Sequence, residues 1–144
     1  MIEIGYFLPA DYDEVMALWS CTEGLTLREV DSREAIGRYL ARNPGLSLVA
    51  RDDGQLVGAV LTGTDGRRGY LQHLAVAPSH RGRGLGRALA ERAVGALRAV
   101  GIRKCHLMVR QENADARAFW TRLGWNERAD ITLMSRADPD AANA

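Results

Sequence analysis

One run constrains the fold more than any other: YLQHLAVAPSHRGRGLGRALAERAVGALRAVG, residues 70–101. It opens with an apolar stretch, passes through alternating Arg and Gly, and ends in a helical stripe. Leu85, Ala88, Leu89, Ala93, Ala96, Leu97 and Val100 recur at i, i+3, i+4 spacing, which predicts an amphipathic helix. Gly101 stands where a helix C-terminal glycine belongs. The order is therefore strand, glycine loop, long helix. A helix N-terminus leaves N–H groups unpaired and carries partial positive charge. Residues without a Cβ let backbone approach a ligand closely. The loop thus reads as a phosphate cradle, with Arg81, Arg83 and Arg87 adding charge. A plain basic turn is the alternative.

The rest of the chain supplies strands and helices around this unit. IEIGYF reads as a first strand, and Tyr12, Val15, Met16 and Trp19 fall at helical spacing. SCTEGLTLREV reads as a loop. Asp31 followed by Glu34 resembles a capping box for a helix carrying Ile36, Tyr39 and Leu40. LSLVARDDGQLVGAVLTG reads as two strands joined at Asp53-Gly54, a strong hairpin signal. TDGRRG is a turn and YLQHLAVA a further strand. CHLMVR predicts a strand, Asn113 an N-cap, and Ala116, Phe119, Trp120 and Leu123 a last helical stripe ended by Gly124. ITLMSR predicts a closing strand. Hairpins followed by strand–helix–strand–helix indicate a mixed α/β (α+β) domain with a partly antiparallel sheet.

Length and charge narrow the function. The chain has 144 residues, enough for one core. Residues 1–136 read as a single domain and 137–144 as a flexible polar tail. Nineteen Lys and Arg against eighteen Asp and Glu give a charge of +1, so no basic field argues for nucleic acid. No apolar run is long enough to span a membrane. Cys21 and Cys105 lie far apart with no metal-ligand spacing, so no metal is expected. Two lone thiols and no leader-like stretch point to the cytoplasm. The loop is not a P-loop, since no Lys follows the glycines. It is not a dinucleotide fingerprint either, because Leu89 stands where a third small residue is needed.

Arg81-x-x-Gly84-x-Gly86 is similar to the acyl-CoA signature [QR]-x-x-G-x-[GA] of the GNAT family of N-acetyltransferases. LAVAPSHRG before it and NADARAFWTRLGW after it resemble that family's neighbouring blocks in order and spacing. The resemblance runs from about residue 2 to 136. GTDGRRGY looks like a bacterial subgroup near the ribosomal-protein N-terminal acetyltransferases. The resemblance implies a mostly antiparallel sheet with a central, splayed parallel pair, flanked by helices. It implies acetyl-CoA as acyl donor, CoA as product, and a primary amine as acceptor, either a small molecule or a peptide. Homodimers are frequent among such proteins.

The same resemblance assigns residues. Backbone amides of Arg81, Gly82, Arg83, Gly84, Leu85 and Gly86, with Arg87 beside them, would hold the CoA pyrophosphate. Leu74, Ala75 and Val76 would run beside the pantetheine arm. Asn113 resembles the family Asn that touches that arm, although it also suits a helix N-cap alone. Ala116, Phe119 and Trp120 would face the cofactor from the last helix. The family's general acid is a Tyr where this chain has Trp120, and an indole N–H donates a hydrogen bond without supplying a proton.

An alkylamine with pKa near 10.4 costs about 4.6 kcal/mol to deprotonate at pH 7, so a proton acceptor is expected. Family members place a base on the fourth strand at the positions of Tyr70 and Gln72; neither is a base at pH 7, but both can hold a water. Glu23, in the loop after the first helix, is the third candidate. His73 is one residue out of phase and is expected to face the opposite side of the pleat. Acidic residues at 23–31 and 127–130 suggest mildly acidic walls suited to a cationic amine. A weakly catalytic acyl-CoA sensor of the same fold stays open at this stage.

Overall fold

A computed structural model describes all of residues 1–144. The elements are β1 (Ile2–Tyr6), α1 (Tyr12–Ser20), α2 (Arg33–Arg42), β2 (Leu48–Asp52), β3 (Gln55–Thr64), β4 (Gly69–Val76), α3 (Leu85–Ala99), β5 (Cys105–His106) and α4 (Ala114–Arg122). The five strands form one sheet in chain order. β1 to β4 pair antiparallel, and β4 pairs with β5 in parallel. The β2–β3 hairpin turns at Asp53 (φ 49°) and Gly54 (φ 88°), the two left-handed residues that match a type I′ turn to strand twist.

Each sheet face carries its own core. On one, Leu48, Ala50, Val57, Val60 and Leu71 meet Leu85, Leu89, Ala93 and Leu97 of α3. On the other, Val49, Ala59, Leu61 and Ala75 meet Val15 and Trp19 of α1 and Ile36 and Leu40 of α2. Gly69 lets α3 lie close to the start of β4: a Cβ there would stand 2.5 Å from Leu97 Cδ1. α3 and α4 end alike. Ile102 N–H donates to Leu97 O and Gly101 N–H to Arg98 O, while Trp125 N–H donates to Trp120 O and Gly124 N–H to Thr121 O. Both are Schellman closures. No helix is long and apolar enough to cross a membrane.

Three expectations need correction. Residues 131–136 form no strand, and Ile131, Leu133 and Met134 are exposed. The apolar pattern alone does not make a strand without an edge to pair with, and β5 is two residues long rather than spanning 105–110. The parallel pair therefore lies at the sheet's end rather than its centre. Third, α2 is capped by Ser32, whose Oγ accepts from Ala35 N–H at 3.2 Å, and not by Asp31, whose carboxylate is engaged elsewhere. Ser32→Ala should destabilise the fold by about 1 kcal/mol, read as a Tm lowered by about 3–5 °C. The tail is exposed, and Glu29 N–H donates to Asn143 O at 3.1 Å.

Candidate active site

The site begins with a slip in the β3–β4 ladder. Leu61 pairs with Gln72, but Ala59 pairs with Ala75, so Val60 faces both His73 and Leu74. His73 takes φ 54°, the extra residue of a β-bulge. The bulge shifts the alternation by one. Gln72 and His73 consequently line the same cavity, which overturns the expectation that His73 faces the opposite side.

The His73 ring is fixed on several sides. Its Nε2 lies 2.9 Å from Asp31 Oδ1. Trp19 packs edge-on against it at 4.8 Å between ring centroids and donates its Nε1–H to the His73 carbonyl. Asp31 sits on the short 3-10 turn Glu29–Asp31 with its side chain 5% exposed. Its other oxygen accepts the Arg28 N–H at 3.0 Å. Burial pushes the Asp31 carboxyl up, but the hydrogen bonds from His73 and Arg28 outweigh it and hold the group below its ordinary value. A carboxylate on Nε2 places the ring hydrogen there and leaves the lone pair on Nδ1, which has no partner within the protein. This pair has the form by which an acidic residue orients a catalytic imidazole.

The cavity measures about 900 Å³, within the range of small-molecule sites. β4 supplies Leu71, Gln72 and His73; α2 supplies Ile36, Arg38, Tyr39 and Arg42; the preceding loop supplies Arg28 and Asp31; Met108 also lines it. Burial pushes the Tyr39 phenol up to about 12, so it stays protonated at neutral pH. Tyr70 lines a smaller adjoining cavity with Gln72. It donates to Asp65 Oδ2 at 3.2 Å, and its partial burial and that carboxylate push the phenol up. Glu23 is exposed and lines neither cavity.

A second feature lies across the end of the parallel pair. β4 and β5 pair only at Gly69↔Cys105 and Tyr70↔His106, so from Leu71 onward β4 has no paired strand on that side. Leu74 and Val76 flank the α3-side core, whereas Ala75 is buried towards α1. Beyond β4, Gly82 and Gly84 adopt φ of 77° and 81°, and a Cβ at either would meet no protein atom within 4 Å. The backbone N–H groups of residues 82–87 make no hydrogen bond within the protein. Arg83 and Arg87 are exposed beside them, and Arg81 turns back to donate to Val76 O at 2.9 Å. Free amides, open space and positive charge at a helix start suit a pyrophosphate.

α4 borders this loop. A Cβ on Gly86 would stand 3.2 Å from Phe119 Cζ. Asn113 Oδ1 accepts from Ala116 N–H at 3.1 Å as the N-cap, leaving its amide nitrogen towards Gly24.

Comparison with known proteins agrees with this geometry. Residues 12–125 match the Acetyltransferase (GNAT) family. The chain belongs to the GNAT family. An acetyltransferase of Pectobacterium atrosepticum is 38% identical over 140 residues, covering 96% of this chain and 98% of that one. One from Yersinia pseudotuberculosis is 37% identical over 136 residues, covering 94% and 95%. Among solved structures, the ribosomal-protein-S18-alanine N-acetyltransferase of Escherichia coli has a TM-score of 0.74 at 25% identity, covering 89% of this chain and 79% of that one. The PaiA N-acetyltransferase of Thermoplasma acidophilum, solved with coenzyme A, has a TM-score of 0.74 at 21% identity, covering 85% and 87%. This GNAT chain is thus an acetyl-CoA-dependent N-acetyltransferase.

Trp120 stands where the resemblance leads one to expect a tyrosine. It lies between Phe119 and Trp125 at centroid distances of 5.0 and 5.2 Å and packs on the α3-side core. The expected acidic walls are not found. Glu127 is paired with Arg117 and Asp130 with Arg128. Neither Glu23 nor Glu29 lines the cavity, and Asp31 is spent on His73. Arg28, Arg38 and Arg42 line it instead. Sequence reasoning missed these arginines and the His73–Asp31 pair, since helical spacing of 35, 38, 39 and 42 was the one available signal that they share a face.

Proposed function

We propose that the protein moves the acetyl group of acetyl-CoA to a primary amine by direct attack in a ternary complex, with His73 taking the amine proton. One observation carries the reading: an oriented imidazole with a free nitrogen stands in the cavity beside the point where β4 and β5 part. Bound acetyl-CoA supplies an activated thioester carbonyl. The amide cradle of residues 82–87 fits its pyrophosphate, and the unpaired side of β4 from Leu71 to Val76 fits its pantetheine arm. Nδ1 of His73 accepts the proton, through a water if needed, and Asp31 stabilises the imidazolium. The nitrogen forms a bond to the acetyl carbon, and the carbon–sulfur bond breaks to release the CoA thiolate. A thiol of pKa about 8.5 leaves at pH 7 for roughly 2 kcal/mol without an acid, so Trp120 does not block the reaction. Two unpaired cysteines suit a cytoplasmic setting.

The test joins binding to turnover. Acetyl-CoA and CoA, unlike ATP or single-stranded RNA, should stabilise the full chain by about 2.7 kcal/mol at a hundredfold excess over Kd. Thiol release should then require an added primary amine and match acetylated product mole for mole. Release that ignores the amine, or an acetyl group trapped on the protein, would end this reading.

A further inference from the structure

We infer that the acceptor is a small amine that also carries a carboxylate or phosphate, gripped by Arg28, Arg38 and Arg42 around the His73 cavity. The inference rests on the amine-acetylation reading above and names its acceptor class.

The charge inventory of the cavity carries it. Its lining holds three arginines and one carboxylate, Asp31. Both Asp31 oxygens are occupied, one by His73 and one by the Arg28 N–H. The adjoining small cavity adds Asp65, whose oxygens are also taken, by Arg67 N–H, Arg68 N–H and the Tyr70 phenol. With three arginines against one already-partnered carboxylate, the lining repels a second ammonium group, which argues against a polyamine.

The arginines are not neutralised in return. The Arg42 side chain makes no hydrogen bond or ion pair within the protein. Arg28 donates to a neutral oxygen, Asn143 Oδ1, at 3.4 Å. Arg38 comes within 3.8 Å of Glu34, but both side chains are more than two-thirds exposed, so that pair is weak. Arg51 and Arg117, by contrast, are closely paired: Arg51 sits 2.7 Å from Asp11 and 2.8 Å from Glu14, and Arg117 sits 2.8 Å from Glu127.

Placement then selects the ligand. Arg38 and Arg42 stand one turn apart on a single face of α2, about 6 Å along its axis, and Arg28 approaches from the loop before it. Planar guanidinium forks are well matched to carboxylate and phosphate oxygens. The arginines share one cavity with His73, so anion and reacting amine must lie within the span of one small molecule. In a peptide acceptor the terminal carboxylate lies far from the N-terminal amine, which makes a peptide the poorer fit.

The test measures CoA release by the full chain with acetyl-CoA and matched amines. A set of α-amino acids is run beside their amides, O-phosphoethanolamine beside ethanolamine, together with spermidine and a hexapeptide with a free N-terminus. At least one anionic amine should exceed its neutral partner in kcat/KM by about tenfold or more, the size of a charged hydrogen bond. The amino-acid and phosphate arms tell the two anions apart. Arg42→Gln should raise KM for the preferred anionic amine and shrink that ratio, while Arg67→Gln, on the β3–β4 turn outside the cavity, should leave the ratio as it was. Amines acetylated equally with and without the anion, or spermidine or the peptide preferred, would overturn the inference while leaving amine acetylation standing. No thiol release with any amine would overturn the underlying reading and this inference together.

Discussion

His73→Gln should lower kcat by about 10²–10⁴-fold, the usual contribution of a positioned acid–base group, with little change in acetyl-CoA binding. Glutamine retains a donor for Asp31 but has no nitrogen able to accept a proton at neutral pH. Trp19 should hold its place, since its bond is to the His73 carbonyl rather than the ring, so thermal unfolding would show a folded variant. Chemical rescue separates catalysis from mere support. Added imidazole, a free proton acceptor, should restore part of the lost kcat in His73→Gln and leave the unaltered chain unchanged. Asp31 stays charged at neutral pH, because its partners hold it below the ordinary carboxylate value. The sign for stability follows: the contribution of Asp31 is complete above the unfolded carboxylate range and is lost as pH falls through its depressed folded value. Asp31→Asn should accordingly flatten the acid end of the stability curve and slow turnover less than His73→Gln. Wild-type kcat in a folded His73→Gln would remove the histidine from the mechanism.

The glycine loop and its helix were legible because their signals are local. The 85–100 stripe, the glycines before it and the terminators Gly101 and Gly124 all act within a few residues, and the helix, the left-handed glycines and the caps follow from them. The His73 cavity was not. Strict alternation along β4 assigned His73 to the wrong side, because a bulge arises from the register of two strands and has no fixed composition. Asp31 read as a helix cap since it stands next to Ser32; the contact that claims it comes from 42 residues away. The acidic wall came from counting charges along loops, whereas Arg117 and Arg128 neutralise one half of it and the cavity selects arginines from α2. The apolar pattern at 131–136 was real but found no strand edge.

The same contrast makes the glycine loop testable by shape rather than charge. Gly84→Val should weaken CoA binding by roughly 10–100-fold while lowering the Tm of the ligand-free protein only slightly. At φ 81° a β-branched residue is a true outlier, and holding it there costs about 1–2 kcal/mol or more. α3 will not yield, because Leu85 and Leu89 are anchored in the core. The loop must yield instead, and no protein atom within 4 Å of a Cβ at position 84 resists it. A turn to negative φ re-aims the neighbouring N–H groups away from a common centre. Several such contacts at about 0.3–1 kcal/mol each account for the expected loss. Arg83→Gln removes a charge while keeping the backbone, so it should cost less than Gly84→Val and its effect should shrink with salt. If the charge variant costs more, or calorimetry finds CoA bound to Gly84→Val as tightly as to the unaltered chain, the pyrophosphate is held by arginines or lies elsewhere, and the amide cradle is not its site.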